Sequence, residues 1–138
     1  MSAQSLAVRE GRLPVARKIG LALEILRAYV RVRQELRRAT LPEALERLRT
    51  QGSGTASPEE TARLARAVRR TLRLLPTDTR CLSQSLVLTA LLARRGVPST
   101  LVIGVSPGES FGAHAWIEHQ GVPLLPPYEA EFTRLVEL

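Results

Sequence analysis

Residues 80–121 read RCLSQSLVLTALLARRGVPSTLVIGVSPGESFGAHAWIEHQG and contain the only cysteine and both histidines of the chain. The pattern predicts a helix that carries Cys81 in its first turn, a strand over residues 99–105, a loop, and a second strand over residues 113–119 that carries His114. A thiol at a helix N-terminus and a histidine on a neighbouring strand form one arrangement of a nucleophile with its general base. The stretch therefore points to cysteine-dependent chemistry.

The predicted helix places Cys81 where a thiolate is favoured. Asp78 or Thr79 is a suitable N-cap, so that Cys81 lies among the unpaired N–H groups at the positive end of the helix dipole, and Arg80 adds positive charge. The following residues 82–92 are apolar on nearly all sides, which predicts a buried helix behind a sheet. Cys81 as a small, inert core residue is the competing interpretation, and the spacing leaves both open.

The second strand alternates and places His114, Trp116 and Glu118 on one face. Gln120-Gly121 is a two-residue hairpin turn, and a weak returning strand follows it. We expect a short helix in the tail, over residues 128–138. Helices followed by antiparallel strands predict an α+β fold.

The N-terminal part of the chain is helical. Pro14 fits the start of a helix over residues 15–39, whose apolar side is formed by residues at helical spacing: Ile19, Leu23, Leu26, Val30 and Leu36. Thr40 and Ser57 are N-cap candidates for the next two helices, and Leu45 and Leu48 are expected to face inward. We assign residues 1–56 to an N-terminal helical region and residues 57–138 to the core that holds the chemistry, the two forming one compact unit.

Composition limits the classes of function. The chain has 138 residues, 44% of them hydrophobic, and one cysteine, so that it is globular, suits one domain and forms no internal disulfide. No signal peptide or membrane-spanning segment is apparent, which predicts a cytoplasmic protein without membrane contact. The net charge of +7 fits either solvated helix faces or an acidic partner, whereas an aromatic content of 4% argues against nucleic acid.

No cofactor or metal site is predicted. The two histidines and scattered carboxylates contain no close ligand pair such as CxxC. Gly52-Ser-Gly54 lacks the lysine and the strand–helix context of a phosphate-binding loop. His119 lies beside the predicted turn, where an exposed role is expected.

The motifs CLSQS at residues 81–85, RRGVP at 94–98, VIGV at 102–105 and FGAHAWIE at 111–118 form a connected pattern. It resembles the transglutaminase-like peptidases of bacterial lasso-peptide biosynthesis, the B proteins, in the split form without a fused leader-recognition domain. The resemblance implies a papain/transglutaminase-like core, in which the helix with Cys81 packs on a small antiparallel sheet that carries His114.

The resemblance also implies a function, the maturation of a ribosomally made peptide. Such cysteine proteases cleave the leader from a lasso-peptide precursor, commonly after a leader with Thr as its next-to-last residue. By motif position Cys81 is the nucleophile and His114 the general base, and the Cys81 backbone N–H is a natural oxyanion donor. The expected partners are the precursor leader, a separate leader-recognition protein and an ATP-dependent lasso cyclase. Trp116 is assigned to substrate binding.

The chain departs from the family at the third catalytic residue. The family places an Asp on the strand after the histidine strand, but residues 123–127 here read PLLPP. Glu118 lies two pleats from His114, too far to orient the imidazole, so we assign Glu129 to that role. Two other functions stay open: another transglutaminase-fold amidase or acyltransferase, and a non-catalytic peptide-binding module.

Overall fold

A computed structural model of the protein describes residues 14–49, 56–75, 81–106, 112–124 and 133–138. The described helices are α1 (Val15–Arg38), α2 (Leu41–Leu48), α3 (Pro58–Leu72) and α4 (Cys81–Arg94). The described strands are β1 (Thr100–Ser106), β2 (Gly112–His119), β3 (Val122–Pro123) and β4 (Thr133–Glu137). The α+β prediction is confirmed. None of the helices described combines the length and the apolar character needed to cross a bilayer.

The helix starts follow the local sequence. Thr40 and Ser57 are the N-caps of α2 and α3; Ser57 and Glu60 satisfy each other's backbone N–H in a capping box, and at Thr40 the Glu43 carboxylate accepts the cap N–H at 3.3 Å. For Ser57 the two bonds with Glu60 measure 3.2 and 3.3 Å. Proline in the first turn of α2 and of α3 costs no hydrogen bond there. Both predicted caps are thus confirmed, whereas Asp78 and Thr79, predicted for α4, lie outside the described residues.

The strands form one antiparallel sheet in the order β3-β2-β1-β4. Gln120 and Gly121 join β2 to β3 with φ values of 52° and 76°, the left-handed pair that a tight hairpin turn requires. The helix expected over residues 128–138 is wrong for its last part, because Thr133–Glu137 is strand β4. This strand pairs with the free edge of β1, and Leu101 and Leu138 exchange backbone hydrogen bonds of 2.8 and 2.7 Å. Such a short segment gains more from an existing strand than from an isolated helical turn.

Helix α4 lies at the centre of the core, as predicted. All its residues from Ser85 to Ala93 are buried, with α1, α2, α3 and the sheet packed around it. Leu45 and Leu48 of α2 are buried as expected. One hydrophobic cluster therefore joins residues on both sides of the 56/57 boundary.

The face of α1 that packs on the core differs from the prediction. Ile25, Ala28 and Val32 are fully or almost fully buried, while Ile19, Leu23 and Val30 are 50–56% exposed; Leu26 and Leu36 are half-buried. Helix α1 carries two apolar rows, and the row with the small Ala28 side chain is the one that packs inward. Ile19, Leu23 and Val30 were wrongly assigned to the core, whereas Leu36 does pack against it.

Candidate functional site

The sulfur of Cys81 lies against the backbone of strand β2. Cys81 is half-buried and lies in the first turn of α4, whose described part begins at this residue. Its Sγ accepts a hydrogen bond from the Ala115 N–H at 3.3 Å. Because Ala115 follows His114 directly, backbone geometry puts Sγ within about 6 Å of the His114 Cα. The sulfur is thus held beside the strand position that follows His114.

Ser85, one turn further along α4, holds the same residue of β2. Its buried Oγ donates to the Ala115 carbonyl at 3.2 Å, while Ser85's own carbonyl accepts from the Thr89 hydroxyl at 2.9 Å. Two residues on, the Ile117 carbonyl on the same edge of β2 accepts from the Leu124 N–H at 2.8 Å. Beyond the β2–β3 pairing, the side chains of Cys81 and Ser85 form the hydrogen bonds with this edge of β2. These bonds fix the first turn of α4 against β2.

His114 lies on the sheet face opposite to the inward-facing Ala115. Its imidazole is half-buried and stacks on the Trp116 ring, with centroids 6.0 Å apart and planes inclined by 20°. Burial lowers the pKa of His114 below the ordinary 6.5. The imidazole is therefore neutral at pH 7 and able to accept a proton.

Trp116 is itself held by a charged network. Its Nε1–H donates to the Glu118 carboxylate at 3.0 Å, and Arg134 of β4 donates to both oxygens of that carboxylate at 2.7 and 3.1 Å. Arg134 also donates to Glu137 at 2.9 Å. Its hydrogen bonds to Glu118, and then to Glu137, raise the Arg134 pKa above its ordinary value. The buried Glu118 thus connects strand β4 to the Trp116 ring, which stacks on His114.

Gly104 makes room for this arrangement. It faces His114 across the β1–β2 pairing, next to a register irregularity between β1 and β4. A Cβ built on Gly104 would lie 3.0 Å from two carbons of the Trp116 ring and 3.0 Å from the Thr133 carbonyl oxygen. No side chain larger than hydrogen fits there without moving Trp116 or β4.

The structure describes some of the predicted site residues, whereas others lie outside its described part. The Cys81 Sγ lies against the backbone N–H of the residue that follows His114, while the catalytic roles of both residues stay predictions. Trp116 is described, but only 5% of its surface is exposed, so its predicted contact with substrate involves little of the ring. Glu129 and Arg80 lie outside the described residues. The sequence analysis gave no role in the site to the Ala115 backbone, Ser85, Gly104 or Arg134. Of these, only Ser85 could have been identified, because it lies one turn after Cys81 on the predicted helix.

No three metal-ligating side chains cluster anywhere in the part of the chain that the structure describes.

In a comparison with protein families, residues 19–137 match the family described as "Transglutaminase-like superfamily". The match crosses the 56/57 boundary and includes all four helices, at least in part, and the whole sheet. No curated protein and no solved structure gives a significant match.

Proposed function

The chain belongs to the transglutaminase-like superfamily, and within it we propose that the protein is a cysteine peptidase that removes the leader from a lasso-peptide precursor. The superfamily consists generally of cysteine-dependent enzymes, and its fold suits peptidase and acyl-transfer chemistry. The step to leader removal is supported by the connected motifs around Cys81, the RRGVP turn and the FGAHAWIE strand.

One observation carries the catalytic part of the proposal: the Cys81 Sγ accepts the N–H of the residue next to His114. In a core cysteine of purely structural role, the sulfur would pack among aliphatic groups. Cys81 also packs against the hydrophobic core, but part of its surface is exposed, it lies in the first turn of α4, and its Sγ faces a backbone donor. Partial exposure and a position at a helix N-terminus are features of the sites in which reactive cysteines occur.

In the proposed reaction the Cys81 thiolate attacks the scissile carbonyl carbon and gives a tetrahedral intermediate. The Cys81 backbone N–H stabilises its oxyanion. His114, having taken the thiol proton, donates it to the leaving amine as the C–N bond breaks, which frees the N-terminus of the core peptide. Water, deprotonated by His114, then hydrolyses the thioester and releases the leader.

Trp116, Glu118 and Arg134 act in this proposal as positioning residues. The stacked Trp116 ring limits rotation of the His114 imidazole, and the Glu118–Arg134 pair fixes the indole. This support compensates in part for the orienting carboxylate that residues 123–127 do not provide. Glu129 stays our candidate for direct orientation of His114. A cysteine–histidine pair depends less on an orienting acid than a serine enzyme does, because a thiol ionises more readily.

The proposed partners follow from the same function. The substrate is the precursor's leader segment, presented by a separate leader-recognition protein, and the amine that is released is the nucleophile for an ATP-dependent cyclase. The substrate in this proposal has Thr as its next-to-last leader residue.

The test is intact-mass analysis of a precursor peptide, encoded beside the protein's own gene, incubated with the protein and the leader-recognition protein. Wild type should release the core peptide, while Cys81→Ala and His114→Ala should not. His119→Ala is the matched histidine control, because His119 sits at the end of β2 with its Nδ1 2.6 Å from the Pro98 carbonyl oxygen, outside the proposed site.

The products separate the alternatives. Incorporation of an added amine into the leader fragment instead of water would assign an acyltransferase. Absence of any cleavage, with Cys81 alkylated by iodoacetamide no faster than a free thiol, would refute the enzyme and favour a peptide-binding module.

A further inference from the structure

Helix α1 exposes a row of aliphatic side chains that are not part of the hydrophobic core formed by the described residues. Val15, Ile19, Leu23 and Val30 are all at least half exposed, and they recur at intervals of four, four and seven residues, which keeps them on one side of the helix. We call these four residues the α1 row. It extends over about 22 Å, the length of about four helical turns.

The surroundings of the α1 row are basic. Lys18, Arg27 and Arg37 are exposed beside it or in line with it, and none forms an ion pair with a residue that the structure describes. The only two acids of α1 are engaged away from the row: Glu24 binds Arg95 at 3.1 Å and Glu35 binds Arg47 at 3.1 Å. The row is thus an apolar strip with uncompensated positive charge.

The aliphatic α1 row and its basic surroundings together indicate which kind of partner binds there. A second copy of the chain would bring the same cations together across the interface, at a cost that the net charge of +7 increases. A membrane-surface helix has a broad apolar face, commonly with Trp or Phe, whereas the α1 row is a single line of aliphatic residues on a helix whose opposite side is packed in the core. A line of side chains one turn apart fits between the ridges of another helix.

We propose that the α1 row is a docking surface for an amphipathic helix of a partner protein that has an aliphatic row and acidic flanks. Burial of the row supplies affinity, and the basic residues supply orientation and a fast encounter. The inference rests on α1 alone and holds whatever reaction the protein catalyses.

The test uses a fluorescent synthetic helix of about five turns with one row of leucines, glutamates on both sides and alanine elsewhere, together with the same peptide bearing lysines for the glutamates. Anisotropy should show that the acidic peptide binds the wild-type chain, more weakly at high ionic strength, and that the basic peptide does not bind. The double variants Ile19→Ser/Leu23→Ser and Arg27→Glu/Arg37→Glu should each weaken binding by about tenfold or more.

Leu135→Ser and Arg63→Glu are the matched controls. They remove an exposed leucine and an exposed arginine elsewhere on the surface, and they should leave binding unchanged. Because all these positions are exposed, each variant should keep the wild-type melting temperature within a few degrees.

Several results would overturn the proposal: no binding of the acidic peptide, equal binding of both peptides, or full affinity in the α1 variants. Binding to phosphatidylglycerol vesicles without peptide binding would assign the row to a membrane instead. Sedimentation that shows a dimer dissolved by Ile19→Ser/Leu23→Ser would assign it to self-association.

Discussion

Replacing Gly104 with alanine tests the arrangement around His114 with the smallest possible change. The added methyl group would lie 3.0 Å from the Trp116 ring and from a backbone oxygen of β4, where ordinary carbon contacts are 3.5–4.0 Å. Neither neighbour yields easily. The indole is fixed by its hydrogen bond to Glu118 and its stacking on His114, and the oxygen belongs to a strand paired with β1.

The expected cost is that of overpacking a tight site, about 1–3 kcal/mol in the free energy of unfolding. For a chain of this size that corresponds to a decrease of roughly 3–10 °C in the melting temperature. Gly104 does not have a positive φ, so the loss comes from the contact and not from backbone strain. If the ring moves to relieve the contact, the imidazole stacked on it moves as well, and proton transfer at Cys81 slows.

Gly20→Ala is the control. Gly20 lies within α1, and a Cβ there has no heavy atom within 4 Å, so alanine should instead stabilise the protein by about 0.5–1 kcal/mol through helix propensity. Both variants are measured by thermal melting, by the rate of iodoacetamide alkylation of Cys81, and by NMR of the His114 ring protons.

Opposite signs for the two alanine variants, with an altered His114 spectrum only for Gly104→Ala, are the expected result. A Gly104→Ala protein with the wild-type melting temperature and His114 spectrum would refute the packing described for this face of the sheet. It would also remove the basis for Trp116 as a positioning residue.

Three further changes test other parts of the molecule. Ser85→Ala leaves a buried β2 carbonyl without its donor and should cost about 1–3 kcal/mol in urea unfolding while changing the alkylation rate of Cys81; no effect on either would contradict the attachment of α4 to β2. Ile25→Ala should cost about 2–5 kcal/mol and Ile19→Ala less than about 1 kcal/mol, and equal losses would show that α1 packs through the other row. Since burial lowers the His114 pKa and the base acts when neutral, kcat/KM should fall with decreasing pH at a midpoint below 6.5; a midpoint above 6.5 would be inconsistent with that shift.

Local signals in the sequence predicted the elements well. The N-caps at Thr40 and Ser57 and the Gln120-Gly121 turn depend on three or four neighbouring residues, and the structure has all of them. The all-apolar character of α4 likewise left burial as the only stable outcome. Strand β4 was missed because its stability comes from pairing with β1, some thirty residues earlier, and its own side chains are exposed.

The face of α1 shows a different limit. Hydropathy ranks the row of Ile19 and Leu23 above the row of Ile25 and Ala28, because it counts apolar carbon atoms and takes no account of distance between helices. Contact with α4, which is apolar on all sides, favours the row whose small residue lets the two helices approach. A periodicity argument identifies the apolar rows of a helix, but shape decides which of them is buried.

At the candidate site, rare residues such as cysteine and histidine are easier to identify from the sequence than the groups that hold them in place. Cys81 and His114 stand out because the chain has one cysteine and two histidines, and their chemistry restricts the roles they can fill. What joins them in the structure is the N–H of Ala115, a group that every residue except proline carries and that no sequence pattern marks. Its importance comes from its place on an edge of β2 where none of the described strands pairs, so that α4 supplies the side chains of Cys81 and Ser85 there. The Cys81 sulfur therefore takes part in the hydrogen bonding of the sheet, and a change that shifts β2 against α4 should affect thiol reactivity and stability together.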